Sequence, residues 1–232
     1  MATKQRLTKA DIKQDKFISS VWKAQEYFTE HLTSFIIGAV AVVAVIVVVF
    51  VLLSSSQSRE AAAEEILGRA TVEFRGGNFQ LAAVDYQSIL DDYGGTDAAR
   101  LASYYIANAY FALKNYDQAE EYFRLHLKKH KFDDMLSANA LSGIGHCLRA
   151  KAQMQEAGES FYEVYKKYPD SYIVNDCLYY AAKSFITAGD SAKATEIYEI
   201  FSSLPAESQR SNELKLLMVE AGIADAAAGS HF

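Results

Sequence analysis

His126 and His130 are the residues whose type and spacing come closest to a metal-binding pair. They lie four residues apart, which would put both imidazoles on one face of a helix, and imidazole is a common ligand of transition metals. Lys128, Lys129 and Lys131 surround them, and this positive charge opposes the binding of a cation. We therefore expect no metal site here.

Two cysteines are the other candidates for chemistry. Cys147 and Cys177 could form a disulfide in an oxidising compartment. Both lie among apolar helical residues, where a free cysteine behaves as a small buried hydrophobic side chain, and this second interpretation is favoured. The sequence has no nucleotide-binding glycine pattern, no metal-ligand pairing of cysteines and no catalytic elbow. We expect no cofactor, no small-molecule substrate and no enzymatic activity.

The chain is organised around an uncharged apolar stretch, Phe35 to Leu53. Its 19 residues would form about 28 Å of helix, close to the ~30 Å hydrocarbon core of a bilayer. The stretch is apolar all round, whereas the core helix of a soluble protein has a polar face, so we predict a transmembrane helix. A secretory signal peptide has a shorter leader and a shorter apolar run, which favours an uncleaved anchor.

Charge is distributed unequally on the two sides of this predicted span. Residues 1–34 contain six Lys or Arg and four Asp or Glu, net +2, while residues 54–232 contain seventeen and twenty-five, net −8. The acidic larger part disfavours binding to nucleic acid. Because positively charged flanks stay in the cytoplasm, we expect a cytoplasmic amino terminus and a large domain on the opposite side of the membrane.

Apolar residues at helical spacing also precede the span, between Asp11 and Thr33. They predict an amphipathic helix on the cytoplasmic leaflet, with Trp22 at the headgroup level, inside a basic tail of residues 1–34. Contact with a membrane partner is the alternative role of this helix. After the span at residues 35–53, the Ser-rich residues 54–60 are interpreted as a short linker.

Beyond this linker the chain repeats itself. Four segments share a turn, then a small Ala, then an aromatic residue four positions later. The alanines are Ala82, Ala119, Ala157 and Ala194, spaced by 37, 38 and 37 residues, and the aromatic residues are Tyr86, Phe123, Phe161 and Tyr198. Another predicted helix precedes each segment, over residues 64–75, 101–113, 141–150 and 178–188. The pattern predicts four helical hairpins, whose shared faces are buried only when the hairpins stack.

This pattern resembles the tetratricopeptide repeat, and Pro169 closes the third hairpin as that family expects. The period is three or four residues longer than usual. The resemblance implies an all-α fold, with a single amino-terminal transmembrane helix followed by a tetratricopeptide-repeat superhelix of about four helical hairpins over residues 61–210. A capping helix and tail, residues 211–232, would follow. The apolar side of the capping helix consists of Leu214, Leu217, Met218 and Ala221.

With its basic tail and single span, the chain is similar to the YfgM-like family of bacterial inner-membrane proteins with a periplasmic tetratricopeptide domain. The segment from Ile89 to Phe123 carries this resemblance most clearly. The resemblance implies a location in the bacterial inner membrane with the carboxyl-terminal domain in the periplasm. It also implies partners among translocon subunits, periplasmic chaperones and their clients.

In a tetratricopeptide array the first helix of each hairpin lines a concave face, and the resemblance carries these positions over one by one. The predicted protein-binding groove consists of Leu67, Thr71, Leu101, Tyr104, Asn108, Phe111, Asn139, His146, Arg149, Tyr179 and Lys183. The remaining concave positions are Glu64, Phe74, Ser142, Asp176 and Ile186. Aromatic rings could anchor a partner, amides could bond its backbone, and the two basic residues could bind carboxylates. Phe74, Phe111 and Ile186 could equally be packed between helices.

Two functional interpretations follow for such a protein. The first is a scaffold that holds chaperones or nascent clients near the translocon exit. The second is a structural subunit of a membrane or envelope complex, held through its transmembrane helix. A separate group of five tyrosines, which we interpret as an aromatic cluster explained mainly by packing, is Tyr162, Tyr165, Tyr168, Tyr172 and Tyr180.

Overall fold

The structure is a computed structural model that describes Trp22, Gln25, Thr29, residues 31–204 and residues 208–223. Apart from those three positions and residues 31–33, the predicted amphipathic helix lies outside the described residues, as does the tail from residue 224 onward. Every described element is a helix. They are α1 (Leu32–Arg75), α2 (Phe79–Tyr93), α3 (Asp97–Ala112), α4 (Tyr116–Lys129), α5 (Asp134–Ala150), α6 (Met154–Lys167), α7 (Val174–Ala188), α8 (Ser191–Ser202) and α9 (Ser208–Glu220).

The chain divides between Gln57 and Ser58 into two compact units. In the first, α1 exposes its apolar side chains on all sides. One 18-residue window has a mean hydropathy of 3.5, so this helix is long and apolar enough to cross a membrane. A signal sequence near the amino terminus would satisfy the same criteria. The Ser-rich residues 54–60 are helical and lie within α1.

The second unit consists of stacked helical hairpins joined by a recurring turn. The residue in the left-handed region is Gly77, Lys114, Ala152 or Gly189 in successive hairpins, with φ between 60° and 82°. The next residue donates its backbone N–H to the carbonyl five residues earlier, as Asn115 does to Tyr110 at 2.9 Å. This bond closes the end of each first helix, and the same residue begins the second helix as its cap. The turn is therefore repeated in all four hairpins, as the alanines are.

The interior of the array contains the repeated alanines and aromatic rings that the sequence predicts. All four alanines are fully buried, and so are Tyr86, Phe123 and Phe161. In the fourth hairpin, Tyr198 is only half-buried, while Phe201, three residues later, is fully buried. Phe201 lies seven residues after Ala194, and this position is buried in every hairpin, so in the fourth hairpin the inward-packing ring comes from this position instead of that of Tyr198.

Glycines in α5 let neighbouring rings approach the helix backbone. A Cβ atom at Gly145 would lie 2.8 Å from the Phe161 ring, and one at Gly143 would lie 2.5 Å from the Phe123 ring. Both distances are shorter than real Cβ contacts, so only glycine fits without a shift of the ring. The small residue predicted at 145 therefore serves close helix packing.

Helix α9 covers the last hairpin, and its predicted apolar side is only partly confirmed. It ends at Glu220, and Ala221 lies exposed in the following turn rather than on the apolar side. Leu214 and Met218 are buried and Leu217 is half-buried. Each places apolar surface against the array, as a capping element requires.

Candidate protein-binding groove

A pocket of about 220 Å³ lies between α3 and α5, the first helices of the second and third hairpins. Its lining residues are Tyr104, Asn108, Phe111, Phe123, Asn139, Ser142, Gly143 and His146. Six of these are predicted concave positions, whereas Phe123 comes from α4 and Gly143 leaves room for its ring. The structure thus brings the middle of the predicted groove together around one cavity, which we call the middle pocket.

Aromatic rings form one wall of the middle pocket. The Tyr104 ring is half-buried, with its centroid 5.9 Å from that of Phe123 and 5.5 Å from that of Tyr105. Burial raises the pKa of the Tyr104 hydroxyl, so it stays neutral and can donate a hydrogen bond. Phe111 is also half-buried and makes an edge contact with Tyr116 at 5.5 Å between centroids. It therefore both packs between helices and borders the cavity.

Two amides provide the polar groups of the middle pocket. Asn108 donates from Nδ2 to the Tyr104 carbonyl at 2.9 Å, and Asn139 does the same to the Met135 carbonyl at 2.9 Å. Each amide nitrogen keeps a second N–H, because one bond uses only one of its two hydrogens. The Tyr172 hydroxyl donates to Oδ1 of Asn139 at 3.3 Å. Each amide could therefore still donate one hydrogen bond to the backbone of a bound segment.

His146 lines the middle pocket, and Arg149 follows it on α5 three residues later, outside the lining. The His146 ring makes edge contacts with Phe161 at 4.9 Å and Tyr180 at 5.0 Å. Burial and then the nearby Arg149 charge lower the pKa of His146, so it is a neutral group. The Arg149 guanidinium lies 4.8 Å from the Tyr180 centroid, and no carboxylate of the described residues lies within ion-pair distance of it. Arg149 therefore carries an uncompensated positive charge.

The predicted groove residues of the first hairpin lie outside the pocket. The Thr71 hydroxyl donates to the Leu67 carbonyl at 2.7 Å and accepts from the buried Tyr86 at 3.4 Å. Leu67 packs against the core of the first two hairpins. Leu101, near the start of α3, is half-buried and does not line the cavity.

The predicted groove residues of the fourth hairpin face α9. Tyr179 is buried and donates its hydroxyl to Glu213 at 2.5 Å, and Lys183 donates to the same carboxylate at 3.2 Å. Arg210 pairs with Asp176. Because α9 packs beside α7 as a further first helix would, these side chains contact the cap instead of lining an open groove.

One polar residue of the core was missed by the sequence analysis as a structural feature. His126 is fully buried, with Nδ1 2.9 Å from the Ser103 hydroxyl and Nε2 without a hydrogen-bond partner. The repeat could have predicted this burial. The equivalent position, seven residues after each repeated alanine, is an apolar residue in the other hairpins: Ile89, Val164 and Phe201. Among the described residues no group of three His, Cys, Asp or Glu side chains could hold a metal ion.

The two cysteines and the five tyrosines are placed as follows. Cys147 and Cys177 are free and buried, and burial raises the pKa of the Cys147 thiol to about 12. The tyrosines form three separate groups rather than one cluster. Tyr162 stacks on Tyr165, Tyr180 contacts the Phe161 and His146 rings, and Tyr168 and Tyr172 lie in the loop before α7.

Comparisons with known proteins agree on the repeat. A family model described as a tetratricopeptide repeat matches residues 101–130. Two similar solved structures are crystal structures of the nearly identical TPR-like repeats of a candidate kinesin light chain from Podosopora anserina, one of them a single-residue variant. Each is 15% identical in sequence to this chain and superimposes on it with a TM-score of 0.53. The alignments cover 72% of this chain and 89% and 88% of those chains. No curated protein matches in sequence.

At this identity the two structures show the fold alone. Together with the helix order and the matched repeat, they define this chain as an all-helical protein with tetratricopeptide repeats. Arrays of this kind typically act as scaffolds that bind other proteins, because their stacked hairpins present an extended surface.

Proposed function

We propose that this chain is a membrane-anchored adaptor whose middle pocket binds a segment of another protein. The observation that carries the proposal is the cavity between α3 and α5, which is lined by five predicted groove residues: Tyr104, Asn108, Phe111, Asn139 and His146. Its size of about 220 Å³ suits one or two side chains of an extended or helical segment.

The chemistry of the pocket supports a particular kind of segment. An apolar or aromatic side chain would pack on Tyr104, Phe111 and Phe123, which offer ring faces and edges. The segment's backbone would bond the free amide N–H groups of Asn108 and Asn139. A carboxylate at the other end would meet Arg149, whose charge is not compensated by a neighbouring acid.

The location proposed for this adaptor rests on the apolar helix and the charges beside it. Helix α1 satisfies the length and composition of a membrane span, and the six basic residues before Phe35 favour a cytoplasmic amino terminus. The array would then lie in the periplasm of a bacterial inner-membrane protein. The resemblance to the YfgM-like family supports translocon subunits, periplasmic chaperones or their clients as partners.

A structural subunit of a membrane complex is the second candidate. The observation that favours it is that α1 exposes apolar side chains on every side across the predicted span, none of them buried within this chain. Those side chains could pack on the helices of other membrane proteins as well as on lipid. In that case the array would act as a spacer.

The test compares partners recovered after in-cell crosslinking and mild-detergent purification of the full-length protein. Tyr104→Ala combined with Asn108→Ala should remove the periplasmic partners and keep the membrane partners. The matched control is Tyr162→Ala with Gln155→Ala, which makes similar changes on α6, away from the pocket. Unchanged partners in the first variant would refute the groove function.

An anchor exchange separates the second candidate from the first. Replacing residues 1–53 with an unrelated single-span anchor should leave the partners of an adaptor in place, because they bind the array. A structural subunit would lose its complex. Retention of all partners would exclude the structural interpretation.

A further inference from the structure

A second and larger pocket lies where the loop before α7 passes the start of α5. Its volume is about 430 Å³. The lining residues are Asp134, Met135, Lys167, Tyr168, Pro169, Asp170, Ser171 and Tyr172. We infer that this loop pocket binds a basic side chain, lysine or arginine, of the same protein segment that enters the middle pocket. The inference rests on the proposed function and adds a second anchor to it.

The walls of the loop pocket combine ring faces with a flexible apolar side chain. Tyr172 is 74% exposed and Met135 is 53% exposed, although both are large apolar groups. The half-buried Tyr168 and the adjacent Pro169 complete the lining. Tyrosine faces attract cations, and the aliphatic stem of a lysine or arginine packs well on methionine and proline.

The charges at the loop pocket also favour a cation. Asp170 has no cation of the described residues within ion-pair distance, whereas the neighbouring Lys167 is paired with Glu163 at 2.7 Å. Asp170 is therefore the carboxylate at this site whose charge remains uncompensated. The net charge of −8 over residues 54–232 acts in the same direction on a basic partner.

The chain itself shows how a cation is held beside this pocket. Lys131 places Nζ 3.0 Å from the Asp134 carboxylate and 5.6 Å from the centroid of the Tyr168 ring. A guest ammonium or guanidinium would use the same combination of a carboxylate and an aromatic ring, which Asp170 and Tyr172 provide in the lining of the loop pocket.

The loop pocket and the middle pocket are neighbours along α5. Met135 lines the first and Asn139 lines the second, one helical turn or about 6 Å apart. Tyr172 connects them, because its hydroxyl donates to Asn139 at 3.3 Å. An extended segment spans about 3.3 Å per residue, so a basic residue two to four positions from the groove anchor would reach the loop pocket.

The test uses the full-length protein in detergent micelles with methyl-labelled methionine. The chain has four methionines, so Met135 reports on the loop pocket while Met154 and Met218 serve as internal references. The probes are two acetylated, amidated pentapeptides of Gly and Ser that differ at their centre, arginine in one and the neutral isostere citrulline in the other. We expect a saturable shift of the Met135 methyl signal with arginine and at least fivefold weaker binding of citrulline.

Substitutions then assign the effect to the pocket. Asp170→Asn should weaken binding of the arginine peptide at least threefold, and Tyr172→Ala should do the same. Glu121→Gln is the matched control, because Glu121 is an exposed acid on α4 that lines neither the middle pocket nor the loop pocket. Equal binding of the two peptides, or unchanged binding to Asp170→Asn, would overturn the inference.

The same measurement separates this inference from the proposed function. The variant with Tyr104→Ala and Asn108→Ala should keep the Met135 shift, because neither residue lines the loop pocket. If that variant keeps its cellular partners, the groove function fails, whatever the peptides do. If it loses them while Asp170→Asn binds the arginine peptide normally, the groove function stands and the loop pocket fails.

Discussion

Replacing a helical glycine by alanine should have opposite effects at two positions of this array. Gly68 lies in α1 with no other atom within 4 Å of the Cβ that alanine would add. Gly145 lies in α5, where the same Cβ would be 2.8 Å from the Phe161 ring. The two substitutions are chemically identical, so the difference between them isolates the contact with the ring.

The expected magnitudes follow from two opposing effects. Alanine stabilises a helix by about 1 kcal/mol relative to glycine, because it restricts the unfolded chain. Gly68→Ala should therefore raise the free energy of unfolding by about 0.5–1 kcal/mol. At Gly145 the gain is offset by overpacking of about 1–3 kcal/mol, since Phe161 is fully buried and cannot move freely. Gly145→Ala should lower the free energy of unfolding by up to about 2 kcal/mol.

Urea unfolding of the full-length protein in detergent micelles, followed by far-ultraviolet circular dichroism, measures both effects. A double variant with Gly145→Ala and Phe161→Leu provides the control, because the smaller side chain relieves the contact. Its loss should be smaller than the sum of the two single losses, by about 0.5 kcal/mol or more. If Gly145→Ala is as stabilising as Gly68→Ala, the ring does not pack on the helix and the reasoning is wrong.

Two further perturbations test the core and the turns. Burial lowers the pKa of His126, so it contributes stability above its unfolded pKa of about 6.5 that is lost as the pH falls toward the folded value. The protein should therefore lose stability against urea between about pH 7.5 and 5.5, and His126→Leu should make this loss smaller. Some loss should remain, because burial also lowers the pKa of His146. An unchanged dependence of the urea midpoint on pH would contradict this prediction. Ala152→Gly should raise the free energy of unfolding by about 1 kcal/mol, because Ala152 has a φ of 60°, and Gly189→Ala, at a φ of 78°, should lower it similarly. Equal signs in the urea midpoints would refute the argument from the turn.

The repeat could be predicted because its spacing is written directly in small and aromatic residues. The starts of the first helices were less accurate. Two of them are predicted to begin at Leu101 and Leu141, whereas α3 and α5 begin at Asp97 and Asp134. Thr96 accepts from the N–H of Ala99, and Asp133 accepts from Leu136, so both are side-chain caps. Apolar periodicity starts later than these polar caps, which explains the error.

The sequence predicted which first-helix positions lie close together where a first helix has a similar neighbour on each side. Tyr104 and Asn139 lie on such helices, and both line the middle pocket. The repeat spacing does not predict contacts at the ends of the array, such as the contact of Tyr179 with α9. It also says nothing about loops, so it could not identify Tyr172 as a residue that connects two pockets. These differences depend on contacts between elements far apart in the sequence.

Because only part of the predicted groove is open, a single binding site there should have a low affinity. Thr71 is engaged by Tyr86 in the first hairpin and Tyr179 by Glu213 in the last unit, so the open cavity is confined to the second and third hairpins. A cavity of about 220 Å³ is smaller than most ligand pockets, which span roughly 300–1,000 Å³. A single side chain held there would bind weakly. An adaptor of this design therefore needs a second anchor, such as the loop pocket, or a membrane anchor that raises the effective concentration of its partner.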